Sequence, residues 1–495
     1  MIRQPAITLL ASMAAACAAD LPDMLRFNND DQLRGSFDGM REGPQVIWRN
    51  QDLAEPAAFR TNRIRHIILR GGRPLKALGT LSHAGLTNGD QLPGTLVALD
   101  NRAAVLQTEH AGTLRIPREH ITLLAPNPLG GRIHYHGPFS DDAWEMIHPS
   151  HPDGLPGGNQ PAASPGRWSF SGAAWHWQHK LTGTALVRKS GMPVQSVLRF
   201  DLAWKNRLNV GIAINADFAR HPAGKHGRDG AAAQGGGPYL DANILPRLFG
   251  NSQVLMLYSN YLTLVRTSID ANGEPSIERH NFNSENIHLG DAGRARIELR
   301  SNRTTGEIIL FVNDEFTAQW NGIDMSLQPA NQTPDGPGFG FVAQGGDSPV
   351  RISDIIISEW NGMPDSARSL QLATRDVVLM TNGTDRYAGK VEGLDADGLV
   401  VFEGRHGRFR FPPDEVAEIR FASSQLAVPA ENTGDTLRVR LSPLGSVSGV
   451  PVPGEGKSLS LMSPIVGRLD LSMDSAVMIE FNANHPPIDD WSTDF

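Results

Sequence analysis

One motif returns along this chain with its spacing nearly intact, and that periodicity limits the fold more than any single residue does. Asn29–Gly35 reads NDDQLRG, Asn88–Gly94 reads NGDQLPG, and Asn382–Gly389 reads NGTDRYAG, one residue longer. Each holds Asp-x-apolar-x-Gly: Asp31, Leu33, Gly35; Asp90, Leu92, Gly94; Asp385, Tyr387, Gly389. A similar tail follows each: FRTNRIRHIIL (Phe59–Leu69), LRIPREHITLL (Leu114–Leu124) and FRFPPDEVAEIRF (Phe409–Phe421). A fourth tail, RLDLSMDSAVMIEF (Arg468–Phe481), follows a head, LRVRLSPLGSVSG, that lacks Asn-Gly-Asp but keeps Gly449. The Gly precedes an apolar tail residue by 22 positions in three units (Gly94 to Ile116, Gly389 to Phe411, Gly449 to Leu471) and by 24 in the first (Gly35 to Phe59). Self-similarity of this kind marks repeated supersecondary units.

Within a unit, Asn-Gly suits a two-residue hairpin with positive φ. The later Gly, in mid-strand, suits a bulge or bend that curls a short sheet. Asp31, Asp90 and Asp385 read as turn residues that bond their own backbone. The fourth unit dispenses with the Asp, so the bend matters more than the carboxylate. The pattern resembles the small Sm-like or Src-homology-like open β-barrels that stand in tandem in some bacterial envelope proteins. That resemblance implies one pair at 20–72 and 78–128 and another at 370–424 and 433–483, with a C-terminal tail over 484–495. Similar edges and faces invite the two pairs to pack together pseudo-symmetrically.

Between the pairs lies a block, 130–363, of different texture. Strand-like runs such as QSVLRFDLAW, NVGIAIN, ARIELRS and GFGFVAQ alternate with turn signals at sandwich spacing. EIILFVNDEFTAQW (Glu307–Trp320) and GFGFVAQGGDSPVRISDIIISEWNG resemble the hairpin and closing strands of concanavalin/laminin-G-like jelly rolls, distantly those of the 3-keto-glycoside hydrolase-like group. The expected fold class is therefore all-β: a central jelly-roll β-sandwich flanked by two tandem pairs of small open β-barrels. Gly (51) and Pro (34) are abundant and no long amphipathic helix pattern appears, which agrees.

The resembled fold hosts binders and catalysts alike, so function has to come from residues. Glycosidases need two carboxylates flanking one bond. No Glu-x-Asp-x-x-Glu occurs in the block, and Asp395-x-Asp397 falls in a repeat turn. No catalytic residue is assigned, although carboxylates from separate strands could still converge. Six residues are candidate ligand contacts. Trp175 and Trp177 share one strand face around His176; facing out they would stack on sugar rings, and facing in they would be core, as large aromatics usually are. Tyr258 and Tyr261, read along one strand, fall on opposite faces, so at most one lines a groove. Tyr239 ends HPAGKHGRDGAAAQGGGPY (His221–Tyr239), a Gly/Ala-rich insertion of the kind that forms lids or binding loops, or none.

His134 and His136 (HYH) point to one face, and His148, His151, His176 and His179 lie nearby. No carboxylate or cysteine joins them at a ligand spacing, so they read as ordinary polar histidines and no metal is assigned. The resemblance alone implies calcium; Asp217 and Asp241 flank the long insertion, but no oxygen-rich calcium loop is visible. No other cofactor is expected. GEGKS (Gly454–Ser458) is a decoy, because Pro451 stands where the first glycine of a phosphate loop belongs.

MIRQPAITLLASMAAACAAD reads as an export signal over residues 1–19. Cleavage after Ala18 or Ala19 would discard Cys17; a lipobox reading of AAAC would instead make Cys17 the lipidated first residue. No later cysteine exists, which removes disulfides, thiolate metal sites and cysteine nucleophiles. The net charge of −8 with scattered arginines argues against a nucleic-acid partner. The expected protein is exported: periplasmic, outer-membrane-associated or extracellular, and touching a membrane only through a lipid anchor. Its expected role is non-catalytic binding of a carbohydrate or envelope polymer by the jelly roll, with the barrels as spacers or docking modules. A glycoside-active enzyme, hydrolase or lyase, and a protein-binding envelope scaffold are the alternatives.

Overall fold

The computed structural model describes residues 22–29, 31–41, 44–141, 143–148, 166–171, 173–178, 183–219, 244–269, 275–279, 287–313, 315–321, 336–343, 349–362, 372–428, 435–453 and 458–481. The protein is all-β, as the alternating runs imply; among the described residues the one α-helix is the short Ile244–Phe249.

The four repeats share one pairing scheme. In unit one, Asp23–Phe27 pairs with both Gln32–Arg41 and Ile64–Ile68, and Gln45–Arg49 joins Gln32–Arg41 to Ala57–Arg60. The order is thus fifth, first, second, third, fourth strand. Unit three repeats it with Asp376–Met380, Arg386–Leu394, Val400–Gly404, Gly407–Phe411 and Val416–Arg420. Unit four does so with Leu437–Leu441, Ser446–Pro451, Ser458–Ser463, Gly467–Ser472 and Ala476–Phe481. Unit two follows, its second strand divided at Gly94 into Gln91–Pro93 and Thr95–Leu99. The polar turn in the first three tails is a 3-10 turn: Thr61–Arg63, Arg118–His120, Pro413–Glu415.

The Asn-Gly turns have the positive φ their residues suggest, at Gly89 and Gly383. The mid-strand glycines act differently from expectation. None of Gly35, Gly94, Gly389 or Gly449 has positive φ. A Cβ on Gly35 would overlap the Arg49 carbonyl and the Trp48 indole, and one on Gly389 would overlap the Glu403 carbonyl. These glycines let the second strand lie directly against the third; the bulges come later, at Phe37/Met40, Leu96/Ala98 and Val391/Gly393.

The flanking units meet edge to edge, the contact that their similar edges invite. The last strand of unit one pairs antiparallel with the last strand of unit four (Ile67↔Ile479, His66↔Glu480). The last strand of unit two pairs with that of unit three (Leu124↔Ile419). Ser446↔Gln91 ties the two halves into one 18-stranded sheet. A single apolar cluster runs through all four, with Leu25, Leu106, Phe402 and Val439 among its members. Small units of this size bury little apolar surface alone, and mutual pairing also removes the exposed edges that would otherwise invite aggregation.

The central block is a two-sheet antiparallel sandwich. One sheet centres on Gln195–Trp204, flanked by Val350–Glu359 and Gly293–Asn302. The other centres on Asn209–Ala216, flanked by Gly338–Ala343 and Ser252–Tyr258. Leu198, Phe200, Leu202 and Trp204 point inward and pack with Phe339 and Phe341; Arg199 and Asp201, one residue out of phase, point away. The charged outer face of the first sheet lies against units one and four, where Ala173 and Phe139 meet Ile68, Val477 and Met478. The Pro443 carbonyl also accepts from Ile133 N at 2.8 Å.

Candidate functional site

Trp175 and Trp177 are core, at 3% and 1% exposure, so neither can stack on a ligand. Their shared face points into the sandwich: Trp175 packs on Phe170 and Trp144, with centroids at 5.3 and 6.1 Å, and Trp177 on Trp168 at 5.4 Å. His176, on the other face, is part-exposed, its Nε2 3.3 Å from the Ser171 carbonyl. Tyr239, Cys17, Asp241, His151, His179, the 221–239 insertion and the 484–495 tail lie outside the described residues.

The tyrosine pair is arranged otherwise than a continuous strand would place it. The run breaks at Ser259–Asn260, so Ser252–Tyr258 turns back into Leu262–Ile269 and Tyr258 N donates to the Tyr261 carbonyl at 2.9 Å. Tyr258 and Tyr261 become cross-strand neighbours on one face. Their rings stack at 4.2 Å with an interplanar angle of 17°, and Tyr261 remains 42% exposed. They are thus brought together rather than set apart. The face is the outer one of the second sheet, since Leu255, Leu257, Leu262 and Leu264 take the core side.

Asn209 lies directly across from Tyr258 on the same face, by the register Asn209↔Tyr258. Its Oδ1 is buried and has no hydrogen-bond partner among the described residues. Sequence reasoning missed it, because a pairing across 49 positions leaves no local trace. The Ser259 hydroxyl accepts from Leu208 N at 3.0 Å and holds the neighbouring turn, Lys205–Leu208, beside the tyrosines. Beyond the aromatic end the same face is covered: Met256 and Val342 are buried in a cluster with Leu245, Leu248 and Phe249. Toward the far end Phe249, from the Ile244–Phe249 helix, lies over Gly340. What this end of the face offers is a half-open aromatic platform with an unpartnered amide oxygen beside it, groups of the kind that hold a sugar ring by stacking and by its hydroxyl protons.

Carboxylates do converge from separate strands, on the opposite sheet. Asp201 lies close enough to Asp354 to feel its charge. Burial, and then the Asp354 charge, push the Asp201 carboxyl up to about 6, against Arg296 at 3.1 Å. Burial works against the Asp354 anion too, but the His136 imidazole at 3.0 Å, with Arg199 and Arg440, holds its carboxyl well below the usual range. One raised and one lowered carboxyl is the electrostatic pattern of an acid–base pair. Here the Asp201 side chain is 1% exposed and that of Asp354 28%; the Asp354 charge acts on His66 of unit one, and Arg440 of unit four acts on Asp354. The pair therefore belongs to the seam between sandwich and flanking units and not to a substrate groove.

The pairing of the HYH strand is bulged between Ile133 and Tyr135, and each histidine goes to its own acid: His134 to Glu359 at 3.2 Å and His136 to Asp354 at 3.0 Å. His148 reaches the Thr184 hydroxyl at 2.9 Å. Asp217 is spent on Ala219 N and on the backbone and side chain of Asn251. Among the described residues no group of three or more His, Cys, Asp or Glu could hold a metal ion.

No protein-family model matches the chain, and no curated protein does. Solved structures similar to it include a carbohydrate-binding module from Bacillus subtilis, at 8% identity and TM-score 0.27, covering 44% of this chain and 96% of that one. A Bacillus subtilis protein with a galectin-like fold is similar at 13% identity and TM-score 0.28, over 46% and 96% of the two chains. The transglycosylase Crh5 is similar at 5% identity and TM-score 0.26, over 48% and 92%. Binding modules and enzymes stand side by side among them.

Proposed function

We propose that this protein is an exported, non-catalytic binder of a carbohydrate or envelope polymer, and that the ligand lies on the outer face of the second sandwich sheet. The observation that carries this reading is the stacked, half-open Tyr258–Tyr261 pair with the unpartnered Asn209 oxygen beside it. Sugar rings present an apolar C–H face and a fringe of hydroxyl donors, and these three groups match both. The fused flanking units then act as the base that carries the sandwich. A hydrolase or lyase reading would need an open carboxylate pair, and the pair that converges among the described residues, Asp201 and Asp354, lies at the seam with the Asp201 side chain 1% exposed. The export signal and the two fates of Cys17 belong to the same proposal.

The test is retention of the full chain on a panel of polysaccharides, with soluble product assayed in parallel. Retention without product release is expected. Tyr261→Ala should weaken retention about tenfold, the order of one lost stacking contact with its buried area. Asn209→Ala should weaken it less and alter which sugars are held. Equal retention by wild type, Tyr261→Ala and Tyr258→Ala would move the site elsewhere; product release would return the enzyme reading.

A further inference from the structure

Among the described residues, the sandwich interior contains an arginine with no hydrogen-bonded counter-ion. Arg266 lies on Leu262–Ile269 in phase with Leu262 and Leu264, so its side chain enters the space between the sheets, and the residue is only 6% exposed. Its Nε and Nη2 are buried and have no hydrogen-bond partner among the described residues. A guanidinium cannot shed its charge, so burying one without a counter-ion is unfavourable. Glu278 is its cross-strand neighbour, yet neither buried nitrogen bonds to it.

The two free nitrogens are not an arbitrary pair. Nε and Nη2 share one edge of the guanidinium, with parallel N–H bonds at the spacing of a carboxylate's two oxygens. The ground beside them is polar as well. Gln253, the other cross-strand neighbour, accepts at Oε1 from Asn215 Nδ2 at 2.7 Å. The Asn215 oxygen is 3.4 Å from the Ser301 hydroxyl, itself 3.1 Å from that of Ser196. This buried row crosses from one sheet to the other and reaches Arg266 with a forked donor unmet. Structural polar rows end satisfied.

The geometry points to a carboxylate-binding site inside the sandwich, with Arg266 as a bidentate clamp and Gln253 beside it, distinct from the tyrosine face. The carboxylate comes either from a small free acid or from a sugar acid. The test is calorimetric melting of the full chain in sodium acetate and in sodium glucuronate, against sodium chloride at equal ionic strength. A saturable rise in melting temperature with acetate, glucuronate or both is expected, and which of them acts tells the two sources apart. Arg266→Met should abolish the rise. Arg266→Lys, which keeps the charge and loses the fork, should need about tenfold more of the same anion and guards against a variant that does not fold. The proposal is overturned if wild type shows no rise over chloride or if Arg266→Met keeps it. It is also overturned if Glu278→Gln lowers the chloride melting temperature as far as Arg266→Met, because Glu278 would then be the counter-ion.

Discussion

Asp90 is where the repeated motif stops being a turn and becomes a clamp, and the difference is large enough to measure. All three Asn-Gly-Asp-type turns make the same local contact, Asn to Asp: Asn29 to Asp31 at 2.6 Å, Asn88 to Asp90 at 2.8 Å, Asn382 to Asp385 at 2.8 Å. Asp31 and Asp385 stop there and are exposed. Asp90 is 2% exposed and reaches into unit four, where Ser448 donates its backbone N–H to Oδ2 at 2.9 Å and its hydroxyl to Oδ1 at 2.6 Å. Ser448 is fully buried. Hydrogen bonds to a charged group contribute about 1.5 to 3 kcal/mol each, and a stranded buried donor costs about 1 to 3 kcal/mol. Asp90→Ala loses two such bonds and strands the Ser448 N–H, so about 3 to 5 kcal/mol of destabilisation is expected. Asp31→Ala and Asp385→Ala should each cost about 0.5 kcal/mol, the usual scale for an exposed site. Urea unfolding of the full chain, followed by tryptophan fluorescence, measures all three. A double-mutant cycle with Ser448→Ala should return a coupling of about 1 to 2 kcal/mol. If Asp90→Ala falls within about 1 kcal/mol of Asp31→Ala, or the coupling is near zero, the clamp contributes nothing and Asp90 is one more turn residue.

Other consequences follow from buried groups. His110 is 3% exposed with neither ring nitrogen bonded, and burial lowers its pKa to about 4. The unfolded chain binds that proton below about 6.5, so stability should fall by about 3 kcal/mol between pH 6.5 and 4, and His110→Leu should flatten the slope in a pH series of urea melts. Asp201 works in the opposite direction: with its folded pKa raised to about 6, its contribution is greatest below the unfolded value near 3.8 and is lost as pH rises through 6. Asp201→Asn should remove that dependence, read by the same melts. Gly389→Ala should cost more than Gly449→Ala, since the added Cβ overlaps the Glu403 carbonyl in the first and lies 2.9 Å from the Met462 carbonyl in the second; thermal melts rank them.

Local chemistry was readable and long-range chemistry was not. The strand alternation, the Asn-Gly hairpins and the four copies follow from residue order, because hairpin and strand preferences act within a few residues. The role of the mid-strand glycine was legible as a bend, but its cause, contact with Trp48 or Phe402 on the next strand, needs the register. The candidate site divided the same way. Trp175 and Trp177 share a face as alternation requires, while which side that face takes depends on the second sheet. Tyr258 and Tyr261 went astray for a local reason: Ser259–Asn260 is a two-residue turn without glycine, so an unbroken strand looked equally good. Asn209, Asp90's partner Ser448 and the seam between Asp354 and His66 depend on contacts that no window of sequence contains.

The order of units along the chain and their order in space explain one another. Unit one pairs with unit four and unit two with unit three, so the pairings are nested around the sandwich, which is inserted between units two and three. Both ends of the inserted block are then held at the base: Gly131 N donates to the Glu359 carbonyl, joining entry to exit, and Ile133 N to Pro443 of unit four. Neither half of the base is complete without the other. Residues before the sandwich leave Ile64–Ile68 and Ile121–Ala125 with an unpaired edge, and residues after it supply the strands Ala476–Phe481 and Val416–Arg420 that cover them. The Asp90–Ser448 clamp adds a third link, between units two and four, that crosses the nesting and binds the two pairs to each other. Three independent joints between early and late chain make the base stiff, and the sandwich docked on it through charged residues on one sheet keeps the tyrosine face of the other directed outward. The repeated unit is thereby used as a single support beneath the sandwich.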